Sequence, residues 1–151
     1  MTDMYLSDHF TLDEFTISRT AINKGIDNTP AQEHMMPMME LCEAILEPVR
    51  KHFGPVSINS GYRSHDLNVA IGGSDKSQHS KGEAADIVIS GYTPIQVCEW
   101  IRDSDLPFDQ LIYEGRWTHV SYGSRMRRSV LTAHFRHGYK TTYSVGIDKD
   151  A

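Results

Sequence analysis

The run Ser77–Asp86 reads SQHSKGEAAD and feeds directly into AADIVIS. In that second stretch Asp86, Val88 and Ser90 fall on one face of an extended strand, and Ala85, Ile87 and Ile89 fall on the other. His79 lies seven positions before Asp86, with Gly82, Ala84 and Ala85 keeping the segment between them slim. A solvated loop could place its polar residues anywhere. A site that brings two side chains onto one atom must fix both ends and keep the middle small.

The chain of 151 residues is the size of one domain and long enough to bury a core. With 39% hydrophobic and 23% charged residues, and no apolar run near the roughly 18 residues a membrane span needs, it reads as a soluble protein without membrane insertion. A net charge of -5 argues against nucleic acid as a partner. The short basic cluster Arg125, Arg127 and Arg128 reads as solvated surface, with contact to an acidic polymer as the alternative. The start, MTDMYLSDHF, lacks a basic segment followed by an apolar one, so a cytoplasmic origin without a signal peptide is expected. Cys42 and Cys98 then read as two buried thiols. No stretch suggests an obligate dimer, and a monomer is expected.

Thr11 and Glu14 form a capping-box pattern that starts a short helix. From Pro30 to Phe53, Met35, Met38, Met39, Cys42, Ile45, Leu46 and Val49 recur at helical spacing, so four of the seven methionines, Met36 included, fall in a helical region as core filler. Gly54-Pro55 stops that helix. VSINSGYRS reads as a strand running into a turn at Gly61, and LNVAIGGSDKSQHSKGEA as a loop. Thr93 and Pro94 open a helix to Arg102. FDQLIYEGRWTHVSY reads as a hairpin turning at Gly115-Arg116, with Ile112 facing His119 and Glu114 facing Trp117. Glu114 and His119 then share a face as diagonal neighbours, roughly 7 to 8 Å apart at the backbone.

His79, Asp86 and His119 together are two imidazoles and a carboxylate on rigid or tightly turned segments, the ligand count a catalytic zinc uses, set against surface or satisfied core roles for histidines in a chain that has eight of them. The pattern Ser77-x-His79-x-x-Gly82-x-Ala84-x-Asp86, followed by Trp117-x-His119, resembles the signature of the zinc D-Ala-D-Ala carboxypeptidase family of peptidoglycan peptidases. HFTLDEF, GIDNTP, Pro48-Val49-Arg50, SGYRS, LNVAIGGSDKSQHSKGEAADI and FDQLIYEGRWTHVSY extend the likeness, in order, over about residues 9 to 123, to the single-domain phage and bacterial branch that includes endolysins.

The resemblance implies Zn2+ held by His79, Asp86 and His119, and Arg63 of SGYR as the residue that binds substrate and stabilises the oxyanion. A guanidinium suits that task on chemical grounds as well. Many relatives carry an acid or a second histidine where this chain has Arg116 and Trp117, so the general base is taken from the hairpin instead. Glu114 is the nominee, with Asp109 and Glu83 behind it. Ser77 and Gln78 are expected to orient a ligand or line the cleft, and Trp117 to pack or touch substrate. His65 could line the cleft or sit on the surface, and His134 with His137 lacks the helix that a second metal pair needs.

The implied fold is α+β: a small, mostly antiparallel sheet with helices on one side and the zinc in a cleft, hedgehog/D-Ala-D-Ala peptidase-like. The implied function is hydrolysis of a peptide bond in peptidoglycan at the cell wall, with the chain as an endolysin released late in infection. Two alternatives stay open: a peptidase cutting the L-Ala to D-Glu bond, and a non-catalytic wall-binding or virion module that keeps the zinc site.

Overall fold

The computed structural model describes residues 3–151. The reading of the first ten residues as leaderless includes Met1 and Thr2, which lie outside the described residues.

Two short helices open the chain, α1 (Leu12–Thr16) and α2 (Arg19–Lys24). The Thr11 hydroxyl caps α1 by accepting from the Glu14 N–H, as the capping-box pattern anticipates. The long apolar stripe forms one helical run in pieces. A 3-10 turn (Gln32–His34) leads into α3 (Met35–Leu41), a π turn (Cys42–Leu46) and α4 (Glu47–Phe53). The π turn has a local cause. The Glu47 N–H reaches back to the Cys42 carbonyl, and Pro48 follows with no N–H to continue the ordinary ladder. Met38 is fully buried in this run while Met36 is exposed, so the methionine stripe packs on one side only.

The sheet has six strands in the order β1-β2-β4-β3-β5-β6. Their ranges are β1 (Ser57–Ser60), β2 (Ala84–Val88), β3 (Gln110–Tyr113), β4 (Thr118–Ser121), β5 (Ser129–His134) and β6 (Thr142–Val145). Neighbours pair antiparallel, as expected, except β3 and β5, which run parallel and make the sheet mixed. The departure follows from an occupied edge. β4 already pairs with β2 on one side and β3 on the other, so β5, which reverses after β4, cannot pair with β4 and adds at the free edge of β3. There it must lie parallel.

Two helical pieces fall inside the stretch read as loop: α5 (His65–Ala70), capped by the Ser64 hydroxyl, and a 3-10 turn at Gln78–Lys81. α6 (Pro94–Asp103) starts on a full capping box between Thr93 and Gln96.

One face of the sheet is the core. Ala85, Ile87 and Ile89 with Leu111 and Val120 are buried against Leu41, Ile45 and Val49 of the long helical run and Val97 and Ile101 of α6. The burial sets the register of β2. A slip by one residue would turn Asp86 into the core and Ile87 out of it. Asp86 is thereby aimed at the opposite face.

The three arginines of the basic cluster are exposed, as expected, and two of them are also tied to neighbouring groups. Arg128 donates to the carbonyls of Leu106, Arg102 and Ser104 and lies 4.4 Å over the Phe108 ring, and Arg127 is paired with Asp109. Only Arg127 has a carboxylate partner, and Arg128 is held by neutral carbonyls. Among the described residues no helix is long and apolar enough to cross a membrane.

Candidate metal centre

The register of the sheet assembles the centre. Asp86 on β2 and His119 on β4 are direct cross-strand partners, so their side chains leave the same face within reach of each other. The 3-10 turn at Gln78–Lys81 brings His79 over them. Asp86 Oδ1 lies 3.0 Å from His119 Nδ1 and 3.3 Å from His79 Nε2, and one ligand atom from each of the three residues falls within 4.8 Å of the others. All are buried, at 2% exposure for His79 and 7% for Asp86 and His119.

His79 is held in one tautomer. Its Nδ1 is 2.7 Å from the Gly61 carbonyl, which can only accept, so Nδ1 carries the proton and Nε2 keeps a free lone pair. Two glycines make the approach possible. A Cβ at Gly61 would fall 2.6 Å from the Phe15 ring. At Gly82, φ is +75° and a Cβ would meet the His34 carbonyl at 2.7 Å, which is why the segment between His79 and Asp86 has to be slim. Ser77 caps this turn by accepting from the His79 N–H at 3.2 Å.

Three lone-pair donors this close and this buried repel one another unless a cation or a proton lies among them. Two imidazoles and a carboxylate suit zinc, and the His79–Gly61 hydrogen bond is the outer-shell support that orients such a ligand. The residues fit the ion. Burial alone would raise the Asp86 carboxyl, but the two flanking imidazoles outweigh it and hold it well below the usual carboxylate range.

Glu114 follows β3 on the same face. Its Oε1 is 3.6 Å from His119 Nδ1, and its side chain is 15% exposed. Burial pushes this carboxyl above its ordinary range; His119 pulls it back and the charge on Asp86 adds to the rise. The hairpin registers as read, with Ile112 opposite His119 and the Glu114 N–H donating to the Trp117 carbonyl at 3.2 Å. Asp109 is committed elsewhere, to Arg127 and Gln78, and Glu83 does not line the cleft.

Arg63 is tied to the centre through its backbone, whose N–H donates to the His79 carbonyl at 3.1 Å. Its side chain makes one long contact, Nη1 to Asn68 Oδ1 at 3.4 Å, and its Nε is buried without a partner. Burial lowers its pKa. A guanidinium so little used by the protein can hold an anion. The Gln78 side-chain Oε1 and the Trp117 indole N–H are likewise buried without partners on the cleft wall.

The cleft encloses about 1170 Å³. One wall is Arg63 with the 71–78 loop, and the floor carries His79, Asp86, His119, Ile112 and Glu114. The other wall was not anticipated: it is the β5–β6 hairpin, with Leu131, Phe135, Tyr139, Lys140 and Tyr143 facing the cleft. Only its end, TTYSVGIDKDA, reads as strand in the sequence, and nothing local links it to a site. His65 is exposed and outside the cleft. His134 sits on β5 with its Nε2 2.7 Å from the Ser144 hydroxyl, and His137 is exposed. Cys42 and Cys98 are free, buried thiols.

No curated protein matches the chain. The sequence model of the family described as Peptidase M15 matches residues 8–121, a span that contains His79, Asp86, His119, Glu114 and Arg63 and stops short of β5. The match covers most of the chain, and the protein belongs to the peptidase M15 family, whose members are zinc-dependent peptidases.

Proposed function

We propose that the protein is a zinc metallopeptidase that hydrolyses a peptide bond in the stem peptides or cross-links of bacterial peptidoglycan, at a D-amino-acid carbonyl of the D-Ala-D-Ala type. The observation that carries this reading is the convergence of His79, Asp86 and His119 within 4.8 Å, with the Glu114 carboxylate 3.6 Å from His119, in one cleft. The resemblance of residues 9 to 123 to phage enzymes supports an endolysin role at the wall.

When bound by His79 Nε2, Asp86 Oδ1 and His119 Nδ1, zinc supplies a Lewis acid for the scissile carbonyl and makes water a nucleophile at neutral pH. Glu114 accepts the proton from the attacking water and returns it to the leaving amine. Its raised pKa suits both halves of that task. Arg63 offers its unpaired N–H groups to the developing oxyanion or to a substrate carboxylate.

Purified sacculi incubated with the protein, with and without a chelator, test this. Fragments with one new terminus, lost on chelation and restored by zinc, are the expected result, and their masses name the bond. Intact sacculi bearing bound, zinc-loaded protein overturn the peptidase reading and favour a wall-binding module.

A further inference from the structure

The family match ends at residue 121, yet the cleft does not. Phe135, Tyr139 and Tyr143 are exposed aromatics brought together on one hairpin, and all three line the cleft with Lys140 beside them. Single exposed apolar residues need no explanation, but several gathered along the wall of a reactive cleft mark a contact surface. The hairpin is built to hold that wall. β6 pairs with β5 from Leu131–Val145 to His134–Thr142, the Thr132 hydroxyl donates to the Gly146 carbonyl at 2.7 Å, and Gly138 turns the tip at φ +81°. In the order of the strands the ligand-bearing β2 and β4 lie between Arg63, next to β1, and this hairpin at the far edge.

We propose that the β5–β6 hairpin is a substrate-specificity element, and that Lys140 binds a carboxylate of an acidic peptide on the opposite side of the scissile bond from Arg63. This rests on the peptidase reading above and deepens it. The charges argue for the sign of the substrate. Glu114 and Asp86 occupy the floor, where the metal's double positive charge offsets them, and Asp75 and Lys76 cancel on the loop. Lys140 and Arg63 remain as the uncompensated charges of the two walls. Tyr139 and Tyr143 then pack along the peptide between the two cations, and the Arg136 guanidinium, 4.7 Å over the Tyr139 ring, adds positive charge to the same hairpin.

The test uses two synthetic stem peptides, identical except that one carries a free carboxylate and the other a carboxamide on the residue flanking the cleavable bond. Wild type should favour the acid by about tenfold in kcat/KM, the scale of one charge-assisted hydrogen bond at a partly exposed site. Lys140→Ala should erase that preference through KM with kcat little changed, Lys140→Glu should invert it, and Lys140→Arg should restore it. Lys51→Ala, on the exposed end of α4, serves as the control and should keep the wild-type preference. Binding of the acid peptide to zinc-loaded Glu114→Gln protein, followed by isothermal titration calorimetry, should weaken by the same factor when Lys140→Ala is added. If wild type cleaves both peptides equally, or Lys140→Ala keeps the preference, the hairpin proposal falls while the peptidase reading stands. If wild type cleaves neither, both fall together.

Discussion

Replacing Asp109 by asparagine separates a structural carboxylate from a catalytic one. Asp109 is 1% exposed, and its Oδ1 accepts from the Arg127 backbone N–H at 3.1 Å and from Arg127 Nε at 2.8 Å. Its Oδ2 accepts from Arg127 Nη2 at 3.1 Å and from Gln78 Nε2 at 2.8 Å. An amide has one oxygen to offer. Whichever way it turns, its NH2 faces two donors, so two charge-assisted hydrogen bonds are lost and an arginine is left without its counter-charge. At about 1.5 to 3 kcal/mol for each such bond the gross cost is about 3 to 6 kcal/mol. The Arg127 side chain is 40% exposed and regains water, so a net loss of about 3 kcal/mol is expected. For a chain of this size that lowers Tm by roughly 6 to 12 °C. Urea titration gives the free energy, and peptide hydrolysis at 25 °C, below the lowered melt, should keep kcat within a few-fold of wild type. A loss under about 1 kcal/mol would refute the clamp. A fall in kcat of a hundredfold or more with an unchanged melt would make Asp109, not Glu114, the proton acceptor. The pH dependence has a definite sign. Hydrogen bonds from Arg127 hold the Asp109 carboxyl below its ordinary range. Its contribution is therefore complete above the unfolded value near 4 and is lost as pH falls through the lower folded value. The variant should lose less stability than wild type over that acid interval.

Three further outcomes follow from other parts of the molecule. Glu114→Gln should lower kcat by about 10² to 10⁴ while zinc content, measured by atomic absorption, stays at one per chain; His79→Ala should lose the metal itself. Gly82→Ala puts a Cβ 2.7 Å from the His34 carbonyl at φ +75° and should cost about 2 to 4 kcal/mol in urea titration, with weakened zinc affinity because His79 rides on that turn. Burial raises the Cys98 thiol to about 11 and the Cys42 thiol further, so neither should react with a thiol reagent at pH 8 until the chain unfolds, when both should titrate.

What could be read in advance was what local chemistry decides. The Thr11–Glu14 cap, Thr93 as the cap before Pro94, the stop at Gly54-Pro55 and the Ile112–His119 pairing each depend on residues a few positions apart, whose side chains or turn geometry admit few alternatives. α5 escaped notice because a six-residue helix carries too little periodicity to stand out from a Gly/Ser-rich neighbourhood. The mixed sheet and the true partners of Arg127 and Arg128 escaped for a different reason. Arg127 finds Asp109 eighteen positions away, and nothing in RMRR distinguishes a guanidinium that caps carbonyls from one in water.

The centre shows how the two kinds of information combine. Local pattern puts Asp86 on the polar face of β2 and His119 on the polar face of β4, but only the sheet's register makes them direct partners. That register is enforced from behind, by Ala85, Ile87 and Val120 packing on the helices, with no contribution from the ligands. The core therefore presents a preformed site, and the ligand chemistry is free to be optimised for the ion. The substrate wall obeys the opposite logic. β5 and β6 attach at the β3 edge of the sheet, Tyr143 and Val145 are exposed, and few residues there are committed to the core. Changes in Phe135, Tyr139 or Lys140 can then alter what enters the cleft without disturbing the register that holds the metal, which is the physical reason to look for specificity at that edge.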